Sequence, residues 1–364
     1  MELEMEKNMI EILATLGPAC CEIEILREMF QEGMTGIRLN LSHTTLDDSK
    51  QWIWNYHQAA AKEGICPELL IDLEGPELRI GQLEENLYLA EEEAWKLVSD
   101  QMNREPDSDQ TEVEDTGIVS LKAWKKQHQL PVVGRIPIPE QVLDALEPDN
   151  DILIDDGKLQ LRVLHKNENG CRAIVLRGGT LSGRKSIKIV GKHIQGDGLT
   201  DKDRTQIACA RKYGVTAVME PFVTSKEQLM EVRKSLEEYQ LSDFRIFSKI
   251  ENQLGIERLE EIIPESDMIV IARGDLGNDM PLWDLPAAQQ QIADRCNEFR
   301  APYLVVTQML ASMVDHPVPT RAEVSDIYHA VQQGASAVMV TNETAVGNYP
   351  VDVIRYLSKT AGGK

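Results

Sequence analysis

The sequence predicts an α/β protein of the (β/α)8 TIM-barrel class, with a small all-β lid domain inserted after the third strand. Three observations carry this expectation. Eight short apolar runs recur along the 364 residues, charge-rich segments of helical period lie between most of them, and one long interval breaks that rhythm. The length suits a barrel of roughly 250 residues carrying an insertion of about 100.

The apolar runs fall at residues 10–15, 36–39, 69–73, 217–223, 246–250, 268–272, 303–307 and 337–340. Runs without polar alternation suit strands buried on both faces, as in a parallel sheet covered by helices. Segments 23–31, 226–239, 285–299 and 321–332 have the period of crossover helices. The interval from 80 to about 190 instead holds alternating segments at 87–89, 152–154, 159–164 and 171–176. Asp156-Gly157, Asn169-Gly170 and Gly178-Gly179 punctuate it as hairpin turns. The expected division is therefore a barrel from 1–79 and 191–364 and a β-barrel-like lid from 80–190, able to exclude water from a site. The acidic stretch 100–115 reads as an exposed loop of that lid.

Composition narrows the function. A net charge of −22 argues against a nucleic-acid partner, because phosphate backbones are bound by surplus Lys and Arg. No apolar run has the length of a membrane span, and the first residues are acidic, so neither membrane nor leader is expected and the cytoplasm is the default compartment. Six cysteines without paired short spacing read as buried or incidental thiols.

Chemistry concentrates at strand ends. Glu251, in Ser248-Lys249-Ile250-Glu251-Asn252, and Asp275, in Ala272-Arg273-Gly274-Asp275-Leu276-Gly277, leave neighbouring strands one βα unit apart, with Lys249 and Arg273 beside them. Two carboxylates suit magnesium, which takes one or two protein carboxylates and completes its shell with water and substrate oxygens. The implied ligand is an anionic small molecule carrying phosphate or carboxylate. Arg38, Asn40 and Ser42 share one strand face, and with Asp72 make a low-charge oxygen set suited to a monovalent cation, leaving Arg38 for a phosphate. Taken alone, Asn40 and Ser42 read more simply as caps of a helix starting near Thr45. Arg79 follows the Gly75-Pro76 turn, where an arginine clamps a phosphoryl group. Gly274, Asp275 and Leu276 offer backbone N–H groups to a carboxylate at a helix start. Thr307 is either a proton relay or a satisfied strand-end hydroxyl, and His43 either a phosphate contact or a surface loop residue. Met309 and Met313 read as core at helical spacing. Glu84, Glu85, Glu91 and Glu92 read as a solvated face.

These residues together resemble pyruvate kinase. The resemblance runs through Thr15-Leu16-Gly17-Pro18, Arg38 to His43, Gly75 to Arg79, Asp155-Asp156-Gly157, Ser248 to Asn252, Ala272 to Gly277, Thr307 to Leu310, Pro319 to Glu323 and Glu343-Thr344-Ala345. It implies that Glu251 and Asp275 hold Mg2+ or Mn2+, and that Lys249 stabilises the phosphoryl group in flight and the enolate. By the same resemblance Arg38 and Arg79 contact phosphate. Gly274 and Asp275 take the carboxylate of phosphoenolpyruvate, and Thr307 assists protonation to pyruvate. Asn40, Ser42, Asp72 and the Leu73 carbonyl would hold K+, and Glu77 stands where potassium-dependent members carry Glu. Lys185 and His43, with Arg38, would approach the phosphates of ADP or ATP. A homo-oligomer through the barrel is the implied assembly.

Departures from the family pattern are also legible. Leu73-Glu74 replaces Thr-Lys, Asn342 replaces a glycine, Val346 replaces a lysine that helps hold ADP, Lys188-Ile189-Val190 replaces Asn-Leu-Pro, and Pro221 replaces a serine. The chain ends at Lys364, so the family's C-terminal regulatory domain, and allosteric control of the usual kind, are not expected. The leading expectation is phosphoryl transfer from phosphoenolpyruvate to ADP, dependent on magnesium and potassium. The alternatives are a pyruvate or oxaloacetate lyase or decarboxylase on the same enolate-stabilising site, a kinase with another acceptor, or a regulatory binding protein without turnover.

Overall fold

The structure is a computed structural model and describes residues 10–75, 78–100, 130–155, 157–192 and 198–362. The chain divides into two compact units, Met1–Pro76 with Asp197–Lys364, and Glu77–Gly196. Strands β1 (Glu11–Thr15), β2 (Gly36–Asn40) and β3 (Glu68–Asp72) come first, and each is buried at most of its positions around an apolar centre. The next eight strands belong to the second unit. Strands β12 (Ala217–Glu220), β13 (Arg245–Ile250), β14 (Met268–Ala272), β15 (Tyr303–Val306) and β16 (Ala337–Met339) return to the first.

In that first unit eight strands close a barrel in the order β1-β16-β15-β14-β13-β12-β3-β2, every pair parallel. The expected (β/α)8 class is what forms, and the strands lie where the apolar runs placed them. Alternation along each strand gives two cores. Leu70, Met219, Phe247, Val270 and Leu304 fill the interior, while Ile71, Val218, Ile246, Ile269 and Val305 face the helices. Each fully buried side chain of this size contributes about 1.5–3 kcal/mol.

Helices Ile23–Gln31, Lys226–Glu238, Leu285–Phe299 and Arg321–Gln332 match the periodic segments almost to the residue. Capping explains the sharp starts. Ser225 with Gln228, and Thr320 with Glu323, form reciprocal capping boxes. At the N-terminal end of the barrel Arg245 bridges Glu11 and Glu68 at 3.4 and 3.0 Å, so this face is closed by ion pairs. Among the described residues no helix is long and apolar enough to cross a membrane.

The second unit is mainly β. Strands β4 (Leu87–Leu89), β5 (Ala94–Ser99), β6 (Val132–Ile138), β7 (Asp151–Ile154), β8 (Leu159–Asn167), β9 (Gly170–Arg177), β10 (Gly179–Leu181) and β11 (Ile187–Ile189) build a six-stranded sheet, β11-β7-β8-β9-β5-β6, and a β10-β4 pair. One expectation is corrected here. Gly178-Gly179 is not a hairpin turn, because β10 leaves β9 and pairs with β4; Gly178 lets the chain pass against the Leu89 carbonyl, 2.4 Å from where a Cβ would sit. The unit also contains the short helix Glu140–Ala145, so it is not purely β. The loop expectation at 100–115 falls, beyond Asp100, outside the described residues. Each of the six cysteines is a free thiol, with Cys66 exposed. Glu84, Glu85, Glu91 and Glu92 are exposed as expected. Met309 and Met313 are fully buried, but only Met313 lies in a helical turn, Ala311–Val314, so their shared burial comes from a loop and not a helix face.

Candidate active site

The C-terminal ends of β2, β3, β13 and β14 gather one chain of charges. Phe247 faces the barrel interior, so Lys249 and Glu251 continue on that inward face. The Lys249 ammonium lies 2.9 Å from Glu251 Oε1 and 3.5 Å from Asp72 Oδ1. Asp72 ends β3, in register with Asn40 of β2 and Met219 of β12. Its other oxygen, Oδ2, accepts from Arg38 Nε at 2.8 Å and Nη2 at 2.5 Å. Glu251 Oε2 accepts from the backbone N–H of Phe222 at 2.7 Å, a residue turned to φ 51°. Arg38, Asp72, Lys249 and Glu251 are thus brought together in one row.

Burial and charge act in opposite senses on this row. Desolvation pulls the Lys249 ammonium down, but Asp72 and Glu251 outweigh it and hold it above its ordinary value. Burial pushes the Glu251 carboxyl up to about 7; Lys249 opposes the rise, and the Asp275 charge adds to it. Asp72 Oδ1 and Glu251 Oε1 are buried without a well-directed hydrogen bond among the described residues, and Lys249 meets them as an ion pair at 3.5 and 2.9 Å, the closer contact pulling the Glu251 carboxyl down against its burial.

This arrangement fits the divalent ion that the resemblance implies. A buried carboxylate oxygen without a hydrogen bond is one a cation satisfies, and Asp275 is close enough for its charge to bear on Glu251. Among the described residues no three His, Cys, Asp or Glu side chains cluster as a closed metal cage. A two-carboxylate set completed by water and substrate is the coordination magnesium tolerates.

At the proposed monovalent site the capping alternative is corrected. The helix after β2 is Lys50–Glu63, its N-cap position is Ser49, and residues 41–49 form turns in between. Asn40 Oδ1 instead accepts from the Ser42 N–H at 3.1 Å, a local turn that keeps both side chains at the strand end. Leu73 follows Asp72, with its N–H bound to the Met219 carbonyl at 3.0 Å. Glu74, the anion in place of the family's cation, pairs with Lys202 at 2.6 Å, and Lys202 also donates to the Leu41 carbonyl at 2.9 Å. Glu77 lies outside the described residues.

Thr307 sits one residue beyond β15, at φ 79°, and Gln308 follows at φ 57°. A Cβ on Gly274 would come 3.0 Å from Thr307 Cγ2, so glycine there makes room for the threonine side chain beside the first turn of helix Arg273–Asp279. Arg273 donates to the Thr307 carbonyl from Nε at 3.2 Å and Nη2 at 2.7 Å, and its Nη1 pairs with Asp326 at 2.7 Å. His43 is exposed on the turn after β2. In the second unit, Arg79 donates to the Arg184 carbonyl at 3.0 Å and Lys185 pairs with Asp155 at 3.0 Å.

Three residues escaped sequence reasoning. Asp203, fully buried, receives the backbone N–H groups of Glu74 and Gly75 at 2.8 and 3.1 Å and so shapes the turn after β3. The Thr200-x-x-Asp203 capping signature was the available signal. Asp326 gave none, being one acid on an amphipathic helix. Glu220 ends β12 with Oε2 buried and unpartnered among the described residues. Burial, then the charges of Asp203 and Glu231, push its carboxyl well above the usual range.

Comparison with known proteins adds an independent finding. Residues 7–354 match the pyruvate kinase barrel-domain family. The chain is 32% identical over 354 residues to a pyruvate kinase of Bacillus licheniformis, covering 96% of this chain and 56% of that protein. It is 34% identical to one of Leishmania mexicana and 33% identical to one of Agrobacterium vitis, covering 96% of this chain in both cases and 65% and 68% of those proteins. The chain thus spans little more than half the length of several relatives it matches.

Proposed function

Because the chain belongs to the pyruvate kinase family, we propose that it transfers the phosphoryl group of phosphoenolpyruvate to ADP, giving pyruvate and ATP. The observation that carries this reading is the buried row Arg38–Asp72–Lys249–Glu251, two cations alternating with two carboxylates at the barrel's C-terminal end. In the reaction the bond from phosphorus to the enol oxygen breaks and one to an ADP β-phosphate oxygen forms. The enolate left behind takes a proton at C3.

Lys249 stays protonated throughout, so it offers fixed positive charge to the phosphoryl oxygens and then to the enolate oxygen. Arg38 is held by Asp72 with its Nη1 turned toward Thr15, 3.4 Å from its hydroxyl, which preorganises the guanidinium for a phosphate. Glu251 and Asp275 would hold Mg2+ or Mn2+, which when bound supplies charge neutralisation across the transferring oxygens. Asn40, Ser42, Asp72 and the Leu73 carbonyl would hold K+, and the Gly274 and Asp275 amides the substrate carboxylate. Arg79, Lys185 and His43 are assigned to phosphate by the family resemblance alone. The site chemistry suits the cytoplasm, where phosphoenolpyruvate and ADP are found.

A second reading, a kinase with another acceptor, is favoured by Val346, which stands 57% exposed where the family has a lysine for ADP. One assay separates the two. Pyruvate release from phosphoenolpyruvate with magnesium and potassium is measured with ADP, with other nucleoside diphosphates, and with none. Strict ADP dependence supports the leading reading. Release without nucleotide, or binding without release, removes it.

A further inference from the structure

We propose that Arg273, anchored by Asp326, is a positioning residue that fixes the Thr307 hydroxyl for proton delivery to C3 of the enolate. The inference rests on the kinase reading above. Three observations carry it. Thr307 and Gln308 both occupy the left-handed region, at φ 79° and 57°, where a β-branched residue is rarely found without support. The support is specific: the Arg273 guanidinium grips the Thr307 carbonyl with two N–H groups at 3.2 and 2.7 Å, and Asp326 holds its third corner at 2.7 Å. The Arg273 side chain is 12% exposed, so its charge is committed to these partners and not to solvent.

The loop is tethered from its other side as well. Buried Glu343 accepts from the Leu310 N–H at 3.3 Å and from the Thr341 N–H at 2.7 Å. Between these anchors the Thr307 side chain is set beside Gly274, with Oγ1 3.6 Å from the point where a Cβ would stand there. A hydroxyl so held can pass its proton to carbon and recover one from water. The C3–H bond forms from the enolate π pair, the enolate oxygen becomes the ketone, and the threonine oxygen is reprotonated by solvent. Arg273 touches none of the reacting atoms and acts through the backbone of Thr307.

The test uses the full chain with Asp326→Asn, Arg273→Lys and Arg273→Met, and reads two rates. Single-turnover ATP formation from phosphoenolpyruvate and ADP reports phosphoryl transfer. Exchange of the pyruvate C3 hydrogens with deuterated solvent, with magnesium and potassium present, reports the proton step. Arg273→Met is expected to lower exchange by about tenfold or more while phosphoryl transfer falls less than about threefold and KM for phosphoenolpyruvate stays within about twofold. Arg273→Lys, which keeps one donor for the carbonyl, is expected to recover part of the exchange. Equal losses in both rates, or none in either, overturn the proposal. A wild-type chain showing neither rate overturns the kinase reading. A crystal structure of Arg273→Met then judges the clamp by itself: Thr307 relaxing to negative φ supports it, and Thr307 remaining near 79° refutes it.

Discussion

The Lys249 ammonium lies 2.9 Å from Glu251 Oε1, two residues further along the same inward strand face, and Asp72 meets the same ammonium from β3 at 3.5 Å. Lys249 therefore compensates Glu251 and one oxygen of Asp72, whose other oxygen Arg38 holds. Removing it leaves Glu251 without its cation in a low-dielectric site, which makes Lys249 a stability residue as well as a candidate catalyst.

Lys249→Met is expected to abolish phosphoryl transfer and to lower stability by about 3–5 kcal/mol, since the pair is broken from one side. The far-ultraviolet circular dichroism spectrum at 25 °C should stay that of the barrel. Activity near wild type would remove Lys249 from the chemistry.

Glu251, pushed up to about 7 by burial, must lose its proton before it can bind a cation. Apparent magnesium affinity should therefore rise as pH is raised through 7 and level off above it, by about tenfold overall between pH 6 and 8 for one released proton. Without metal the sign for stability is opposite. A carboxyl whose folded pKa is raised contributes stability that is full below about 4.5 and is lost as pH climbs through about 7. Thermal melts with chelator across pH 5 to 8 check this, and a metal affinity flat over the same range would contradict it.

Ser42→Ala deletes one oxygen of the proposed potassium set without touching the Arg38–Asp72 pair. The expected outcome is a several-fold higher potassium requirement, on the order of 1 kcal/mol of lost affinity, with kcat at saturating potassium much less changed. Titration of activity with KCl at constant ionic strength measures it. An unaltered half-saturating concentration would place the cation elsewhere.

Gly17→Ala tests the seam between β1 and β16. A Cβ on Gly17 would come 2.4 Å from the Ala345 carbonyl oxygen and 2.7 Å from its Cα, both backbone atoms that cannot rotate away. Overpacking of this kind costs about 1–3 kcal/mol, and denaturant melts should show it. Thr344 marks the same seam, donating to the Thr15 carbonyl and accepting from its N–H, both at 3.0 Å. A variant as stable as wild type would mean the two loops separate freely.

Much of the barrel was legible because burial on both faces leaves a continuous apolar run, and helices 285–299 and 321–332 carry their period in the chain itself. The strands Ala94–Ser99 and Val132–Ile138 were not legible. Their parallel pairing joins residues far apart along the chain, and no turn signal announces it. Asn40 and Ser42 show the same limit within the site. Their spacing fits either a helix cap or a cation set, and the choice turned on where the next helix starts.

The order of the barrel strands, and the kinds of side chain at each of their ends, were thus set by the sequence alone, because apolar runs and residue type are local properties of the chain. Which oxygen of Asp72 meets Arg38 and which faces Lys249, and how Asp326 reaches Arg273 to hold Thr307, only the tertiary structure decided. Pairings between residues 34, 53 or 177 positions apart are fixed by barrel closure and register, and no local pattern encodes them.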